Sequence, residues 1–288
     1  MPASPSPWPN APPGHQRAHD PHPDPNPELP ERHSMLTEFD DRVHAAINLH
    51  AVLGALPRLV ELDSAAAAVL GTLDREVTLT LMVYGGPEAR YTFTPTSIRP
   101  GGRGIGPRLL FTSPAHLQAV LDGDARPIPL GGPAGIRFLT QQFGPLTEIL
   151  AGYLQPGTTQ IQADIATMLA LHISAIAITV VGNEDRSGQF SARHMPDGDF
   201  DLEVGDDLRY RLEVKDHRLR VDQDHTDSPR AALRFADLGV AGSILSGQDS
   251  ALTCLCDGRL TMRGFIPLVD NANRILDRVG AYLGAHRS

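Results

Sequence analysis

A short strand bounded by two glycines carries the strongest fold signal in the chain. It reads Gly258-Arg259-Leu260-Thr261-Met262-Arg263-Gly264, directly after Asp257, and Asp257-Gly258 forms a turn signal. From Pro267 onward, apolar residues recur every three or four positions, which is the period of a helix with one buried face. Such a helix buries its apolar face by packing on a sheet. We therefore expect a sheet with a helical cover in this part of the protein.

The residues before this strand extend the same pattern. Alternation of apolar and polar residues indicates strands, and a period of three to four indicates helices. The predicted elements of the second half are a helix from Thr158 through Leu169, strands at 176–181, 200–204, 210–214 and 232–235, a short helix at 238–245, a strand pair at 251–256 and 259–263, and the closing helix from Pro267.

The first half shows a similar order of elements. The predicted elements are a helix at 35–56 with Ser34 as N-cap, further helix at 57–70, strands at 77–83, 89–93 and 109–111, a helix from Pro114 to Leu121 capped by Ser113, and a helix from Pro145.

Matching residues in the two halves indicate an internal duplication. Pro107-Arg108 recurs as Pro229-Arg230, a shift of 122 residues. Further matches at that shift are Arg137 with Arg259 and Phe143-Gly144-Pro145-Leu146 with Phe265-Ile266-Pro267-Leu268, and Arg90-Tyr91 matches Arg209-Tyr210 at a shift of 119. We expect three parts: a disordered tail rich in proline and histidine (1–34), a first half (35–155) and a second half (156–288).

Composition excludes several classes of protein. Of the 288 residues, 41% are hydrophobic and 20% charged, so the chain can bury a core. Its formal net charge of −9 disfavours binding to nucleic acid or to an anionic membrane surface. No apolar run reaches the roughly 20 residues of a membrane helix. No secretory signal is visible at 1–10, and the two cysteines are badly placed to bridge. We expect a cytoplasmic protein without stable membrane insertion.

A glycine-rich segment at 101–106 imitates a phosphate-binding loop. It reads Gly101-Gly102-Arg103-Gly104-Ile105-Gly106. A phosphate loop continues with Gly-Lys-Ser/Thr into a helix, whereas here Pro107 leads into a predicted strand. We interpret the segment as flexible hairpin glycine.

The segment Asp197-Gly198-Asp199-Phe200-Asp201 imitates the start of a calcium loop. Its sixth and twelfth positions hold Leu202 and Leu208, where calcium loops need glycine and glutamate. The acids at 197, 199, 201 and 203 alternate with apolar residues, so we expect them on the solvent face of a strand.

The remaining candidates for chemistry have structural interpretations. Cys254 and Cys256 share a predicted strand face with Leu252 and suit small buried hydrophobes. His172 lies in an apolar run and suits a core histidine, and the histidines of the tail form no organised ligand set. No Ser or Cys forms a catalytic motif with a histidine. We expect no enzymatic activity, no cofactor and no metal.

The run from Ala231 to Leu283 resembles the C-terminal part of the sterol carrier protein 2 (SCP2) family. The likeness rests on the strand at 232–235, the helix ending in Leu245-Ser246-Gly247, the glycine-bounded strand and the closing helix. Residues 76–154 resemble a degenerate copy, because Ile136 and Gln142 stand where the second half has Gly258 and Gly264.

This resemblance implies an α/β (α+β) fold in which each unit is a twisted, mostly antiparallel sheet covered by helices. It also implies non-catalytic binding or transport of a sterol, a fatty acyl chain or a similar lipid between sheet and helices. The alternative is a structural or protein-interaction module with a filled pocket, and a homodimer is compatible with both. The ligand-binding residues that the resemblance implies are Phe235, Leu245, Leu255, Met262, Phe265, Leu268, Ile275, Leu276 and Val279.

Overall fold

The computed structural model describes residues 39–155, 159–206, 208–222 and 228–284. They form a mixed α/β structure with two five-stranded sheets that pack against helices, which confirms the predicted fold class. The predicted tail (1–34) and the predicted N-cap Ser34 lie outside the described residues.

Helical segments precede and follow the first sheet. The α1 helix begins after Asp40, whose carboxylate accepts a hydrogen bond from the Arg42 amide at 2.8 Å. The elements are α1 (Asp41–Ala46), a π-helical segment (Ile47–Val52), a 3₁₀ turn (Leu53–Ala55), α2 (Leu56–Leu62), α3 (Ser64–Gly71), β1 (Val77–Val83), β2 (Glu88–Phe93), β3 (Ile98–Pro100), β4 (Arg108–Phe111), α4 (Pro114–Leu121), β5 (Ile128–Leu130), α5 (Pro133–Phe138), a π-helical segment (Leu139–Phe143) and α6 (Gly144–Leu154).

The second half begins with a long helix. Thr159 and Gln162 form a capping box at its start, which satisfies free amides of the first turn. The elements are α7 (Gln160–Glu184), α8 (Arg186–Arg193), β6 (Gly198–Val204), β7 (Leu208–Lys215), β8 (Arg218–Asp222), β9 (Ala231–Phe235), α9 (Leu238–Leu245), α10 (Ala251–Cys256), β10 (Leu260–Gly264) and α11 (Ile266–Gly284).

The two sheets share one topology. The first has the strand order β3-β2-β1-β4-β5, and the second has β10-β9-β6-β7-β8, which is the same arrangement from the other edge. One central pair in each sheet is parallel, β1 with β4 and β6 with β9. The remaining paired strands are antiparallel, as expected for mostly antiparallel sheets.

Corresponding elements are related by shifts that differ from the single value of 122. The Tyr84 amide, directly after β1, donates to the Phe111 carbonyl at the end of β4, and the Gly205 amide, directly after β6, donates to the Phe235 carbonyl at the end of β9. Because these two hydrogen bonds correspond, β1 and β6 are related by a shift of 121 residues, and β4 and β9 by a shift of 124 residues. The shift of 122 does align the starts of α6 and α11. It fails for the predicted match of Arg137 with Arg259, because the first lies in α5 and the second precedes β10. The edge strand β5 precedes α5, whereas β10 follows α10.

The predicted strand at 176–181 is wrong, because these residues are the C-terminal part of α7. The helix packs against the first π-helical segment on one side and against α8, α9, α11 and β8 elsewhere. A helix buried from several sides is apolar all round, so its β-branched run imitates a buried strand. The length of the apolar segment distinguishes a helix from a strand here, because the segment continues unbroken from Ile165 and is too long for a strand.

Two helical stretches, Asp41–Leu62 and Ile161–Glu184, are long and apolar enough to cross a membrane by length and composition. The expectation that no apolar run reaches the length of a membrane helix is therefore wrong. In each stretch, 61% of the most apolar window is buried inside the protein, and packing in the core accounts for their composition.

The predicted strand at 251–256 is also wrong, because Ala251–Cys256 is the helix α10. Ser250 occupies its N-cap position in extended geometry. Cys254 is buried as expected, but Cys256 and Leu252 are exposed. A six-residue apolar stretch is compatible with the period of a helix and with that of a strand, so the pattern alone does not distinguish the two.

The glycine-rich segment at 101–106 is a crossover and not a hairpin. It connects β3 to β4, which are not neighbours, and runs over Thr78 and Thr92 on the outer face of the first sheet. A Cβ atom on Gly106 would lie 2.0 Å from the Thr78 carbonyl oxygen, and one on Gly102 would lie 2.1 Å from the Thr92 hydroxyl. Glycine is needed here for close backbone approach.

The predicted solvent-facing acids are buried at two positions. Asp201 is 0% exposed and Glu203 is 3% exposed. Both lie on the face of β6 opposite the apolar core, as expected from the alternation, but arginine side chains from neighbouring strands surround them. Arginines from other strands cover these acids without changing the alternation of polar and apolar residues along β6. The sequence of β6 alone therefore does not reveal that the acids are buried.

Candidate functional site

The nine predicted ligand-binding residues lie on five elements of the second half and, for Phe265, in the residue between two of them. Strand β9 lies between β6 and β10, and α11 packs against all three strands. The residues are Phe235 on β9, Leu245 on α9, Leu255 on α10, Met262 on β10, Phe265 just before α11, and Leu268, Ile275, Leu276 and Val279 on α11.

Four of the nine residues lie deep in the apolar core. Phe235 is 3% exposed, Val279 is 1% exposed, and Leu268 and Ile275 are fully buried. Leu245, Leu255 and Leu276 are partly buried and pack against the same cluster. Seven of the predicted residues therefore belong to, or pack against, the apolar core, which extends through both halves of the protein.

The other two residues reach the surface. Met262 is 44% exposed and Phe265 is 39% exposed, and near them Leu252 and Ile266 are 70% and 55% exposed. We call these four residues the apolar margin. Met262 pairs with Leu233 across the sheet and lies on the same face of β10 as the buried Leu260. Apolar surface thus extends from the covered face of the sheet out to its edge.

An arginine partly covers the apolar margin. The Arg230 guanidinium lies over the Phe265 ring, 4.5 Å from its centroid, and the Phe265 amide donates to the Arg230 carbonyl at 3.0 Å. A guanidinium over an aromatic face is attracted to the negative ring face. This contact fixes the ring at the start of α11.

Ion pairs brace the segment between α9 and β10. Arg259 donates to Asp249 at 2.7 Å and to Asp257 at 2.9 Å, and Ser243 donates to Asp249 at 3.1 Å. Hydrogen bonds from Arg259 lower the pKa of both exposed carboxyl groups below their ordinary values. The brace lies beside α10, which carries the exposed Leu252 of the apolar margin.

A cleft of about 140 Å³ lies elsewhere, in the first half between α1 and α4. None of the predicted ligand-binding residues lines it, and its lining is partly polar. The lining residues are Asp41, His44, Ala45, Pro114, Ala115 and Gln118.

The structure supports the interpretation of His172 as a core histidine. Its ring is 5.6 Å from the Tyr210 ring and is hydrogen-bonded to the backbone of Gly54. Burial lowers the pKa of His172 and also that of His50 in the first π-helical segment. In the described ranges, no group of three or more His, Cys, Asp or Glu side chains has the arrangement of a metal site.

A polar network beneath α11 has no signal in the sequence. Asp185 is 2% exposed, accepts from the Tyr282 hydroxyl at 2.8 Å and forms a 3.2 Å ion pair with Arg278. Burial and the hydrogen bond to Asp185 raise the pKa of Tyr282 to about 12. Asp185 and Tyr282 are 97 positions apart, too far for local periodicity to connect them.

Comparison with known proteins gives partial structural likenesses. No family model matches the chain, and no curated protein matches it. A sterol carrier protein domain 2 from Helicoverpa armigera is 10% identical, with a TM-score of 0.31 over 39% of this chain and 89% of that one. The ubiquinone synthesis protein UbiJ-SCP2 is 14% identical, with a TM-score of 0.30 over 39% of this chain and 96% of that one.

A third solved structure shows the same level of likeness. The protein TT1886 from Thermus thermophilus, described as possibly a sterol carrier protein, is 18% identical, with a TM-score of 0.30 over 38% of this chain and 85% of that one. Scores this low describe a partial likeness in fold and do not indicate what the chain binds.

Proposed function

We propose that the second half binds or transports an apolar small molecule, such as a sterol or a fatty acyl chain, without catalysing a reaction. The observation that carries this proposal is the apolar margin, a set of exposed apolar side chains on α10, on β10 and at the start of α11, beside the buried apolar side chains of β9 and α11. Exposed apolar side chains at such a position favour a site of entry or partial binding.

The chemistry of the predicted residues suits an apolar ligand. None of the nine side chains is ionisable, so a polar headgroup finds no charged partner among them. Each CH₂ group that such a surface buries contributes about 0.8 kcal/mol. The ligand therefore binds through its chain or ring system, with any polar group left at the margin.

The alternative is a structural or protein-interaction module, and one observation favours it. Leu268, Ile275 and Val279 are 0–1% exposed, so protein atoms surround these three side chains. In this alternative the apolar margin is a contact surface for protein, and a homodimer through it is one form of the assembly.

We also propose that the chain arose by duplication and divides into halves at 35–155 and 156–288. The shared strand order supports this. A second support comes from two tyrosines, because the Tyr91 hydroxyl donates to the Leu49 carbonyl and the Tyr210 hydroxyl to the Met168 carbonyl, 42 positions upstream in both cases.

The net charge and the free thiols support two further parts of the proposal, namely that nucleic acid is not a partner and that the protein is cytoplasmic. The net charge of −9 disfavours nucleic acid as a partner, and Cys254 and Cys256 are free thiols, which suits a reducing cytoplasm. No cofactor, metal or stable membrane insertion is part of the proposed activity.

Lipid extraction and a matched pair of variants test the proposed function. The purified full-length protein is extracted with organic solvent, and the extract is analysed by mass spectrometry. The protein is then titrated with a fluorescent fatty acid. We expect bound lipid, and we expect Met262→Asp to weaken fatty-acid binding about tenfold with an unchanged melting temperature, because a charge at the margin must be desolvated on binding.

Ile105→Asp is the control, because Ile105 is 99% exposed and lies far along the chain from the margin. It should leave both binding and melting unchanged. If the parent protein carries no lipid and binds no fatty acid, the structural module replaces the carrier as the function.

A further inference from the structure

Four strands form the edges of the two sheets, β3 and β5 in the first and β8 and β10 in the second. The backbone groups on the outer side of an edge strand have no partner within their own sheet, so they are a pairing surface for another strand. Proteins commonly block such edges with a proline, with a side chain or with a covering element. Three of the four edges of this protein are blocked by a proline or by a side chain.

Proline blocks the edge strand β5 of the first sheet. The Thr80 amide of β1 donates to the Pro107 carbonyl. Because backbone direction alternates along a strand, the groups of Leu109 also point towards β1. Pro129, the middle residue of β5, is the register partner of Leu109, so its backbone faces away from β4 and out of the sheet. Proline has no N–H, and this edge therefore lacks a donor at its centre.

The other blocked edges are β3 and β8. The Gly101 amide donates to the Arg90 carbonyl of β2, so the preceding residue, Pro100, faces outwards without an N–H. In β8, the outward amide and carbonyl of Leu219 are both bonded to the Asn183 side chain of α7, at 2.9 and 2.7 Å. The Asn183 amide group thus occupies the place of a further strand.

The edge strand β10 carries no such block. The Phe265 amide donates to the Arg230 carbonyl beside β9, so alternation directs the backbone groups of Leu260, Met262 and Gly264 outwards. Within the described part of the chain, these outward groups make no hydrogen bond. Met262 and Gly264 are exposed, and β10 contains no proline. This edge is open to another strand.

We propose that β10 pairs with β10 of a second copy of this chain, which joins the second sheets of the two copies into one continuous sheet. An antiparallel pair of identical strands is self-complementary, because a two-fold axis through its centre exchanges the strands. With the axis at Met262, the two Met262 residues bond to each other, and Leu260 bonds to Gly264 of the second copy. The outward amides and carbonyls of all three residues then have partners.

The charges on β10 select this register over its neighbours. Like charges directly opposite each other destabilise a strand pair. With the axis at Met262, Arg263 lies opposite Thr261 of the second copy. A shift of two residues in either direction places Arg263 opposite Arg263 or Arg259 of the second copy. Arg263 does not itself block the edge, because it is bound to Glu203 of its own sheet at 2.6 Å.

The apolar margin favours a second copy over an isolated extended segment of another protein. The two-fold axis is perpendicular to the joined sheet, so Met262 lies on the same face in both copies and their margins come together. Met262 is 44% exposed and Ile266 is 55% exposed, and contact between margins removes apolar area from water. Pairing through β10 uses backbone groups and needs no bound lipid, so the absence of lipid leaves it unaffected.

Sedimentation velocity of the full-length protein over a range of concentrations measures this dimer. We expect a species with twice the mass of the chain. Met262→Pro should raise the dimer dissociation constant at least about tenfold, because it removes an outward N–H and keeps the hydrogen bonds to β9. Met262→Leu is the matched control; it keeps the N–H and an apolar side chain, and it should dimerise like the parent. The melting temperature of each variant is measured as a check of folding.

Two substitutions of Thr261 test the register. Thr261→Glu places a carboxylate opposite Arg263 of the second copy, twice per dimer, and should lower the dissociation constant about fivefold at low salt. Thr261→Arg places like charges opposite each other and should raise it by a similar factor. Both variants keep every backbone donor, so this comparison tests the pairing even if Met262→Pro does not fold.

Three results would overturn the proposal. The first is a parent protein that is monomeric at every concentration, which would leave the edge for an extended segment of another protein. The second is a folded Met262→Pro variant that dimerises as tightly as Met262→Leu. The third is the same dimer affinity for Thr261→Glu and Thr261→Arg, which indicates that the copies meet through another surface.

Discussion

Asp201 shows how a neighbouring strand changes the environment of a single residue. Its position on β6 follows from the alternation of the sequence, but its complete burial depends on Arg211, its partner on β7. The exposure of the candidate ligand residues likewise does not follow from the sequence of one element alone. Their apolar character predicts burial for Leu268 and Ile275, yet Met262 is 44% exposed, although it shares a face of the edge strand β10 with the buried Leu260. Strand order, which no local pattern encodes, decides between these outcomes.

We expect Asp201→Asn to lower the free energy of unfolding by about 3 kcal/mol, because it leaves Arg211 charged and buried beside a neutral amide. Chemical denaturation at neutral pH measures the change. Asp199→Asn is the control on the same strand; Asp199 is only half-buried, and its loss should cost less than about 0.5 kcal/mol. The double variant Asp201→Thr/Arg211→Thr should recover most of the loss, and equal effects of the two single variants would contradict the explanation.

At the scale of elements, two helices show what the sequence predicts well. The helices α4 and α9 have the predicted bounds, with side-chain caps at Ser113 and Asp237. The apolar runs at 176–181 and 251–256 are wrongly predicted as strands, because their composition fits a buried strand and a buried helix equally well. The edge strands β3, β5 and β8 are missed; β3 and β5 have only three residues each, which is too few to show a period of two.

Close packing of α8 on α7 gives a prediction at this scale. A Cβ atom on Gly188 of α8 would lie 2.1 Å from the Val181 carbonyl oxygen of α7. We expect Gly188→Ala to lower the free energy of unfolding by about 1–3 kcal/mol, because the helices must move apart. Gly152→Ala in α6 is the matched control, since no atom lies within 4 Å of its added Cβ, and it should stabilise the protein by about 0.5–1 kcal/mol. Urea denaturation compares them, and a neutral Gly188→Ala would contradict this packing.

At the scale of the whole molecule, the two halves share one core. The helix α7 belongs to the second half by sequence, but it packs against the first π-helical segment, α2 and α6. The first described residues pack against the closing helix, where the rings of Phe39 and Tyr282 are 4.9 Å apart and the Asp40 amide donates to the Tyr282 hydroxyl at 3.1 Å. Neither half covers its own apolar surface.

We therefore expect fragments 34–155 and 156–288 to be insoluble when expressed separately, because each exposes surface that the other covers. Co-expression should return both to the soluble fraction as a complex. An affinity tag on one fragment, with the other detected after purification, measures the recovery against the intact chain. Two soluble, folded, monomeric fragments would show instead that the halves are independent domains.

The position of α7 in the chain also matters during synthesis. A ribosome delivers the first sheet and α6 before any residue of α7 (Gln160–Glu184). At about 5–20 residues per second, the residues between 155 and 184 take roughly 2–6 s to translate. Throughout that interval the first half lacks its neighbouring helix, and its uncovered apolar surface is a target for chaperones that act on nascent chains. We therefore expect the first half to be protected from aggregation only after α7 has been synthesised, and not when the first sheet is complete.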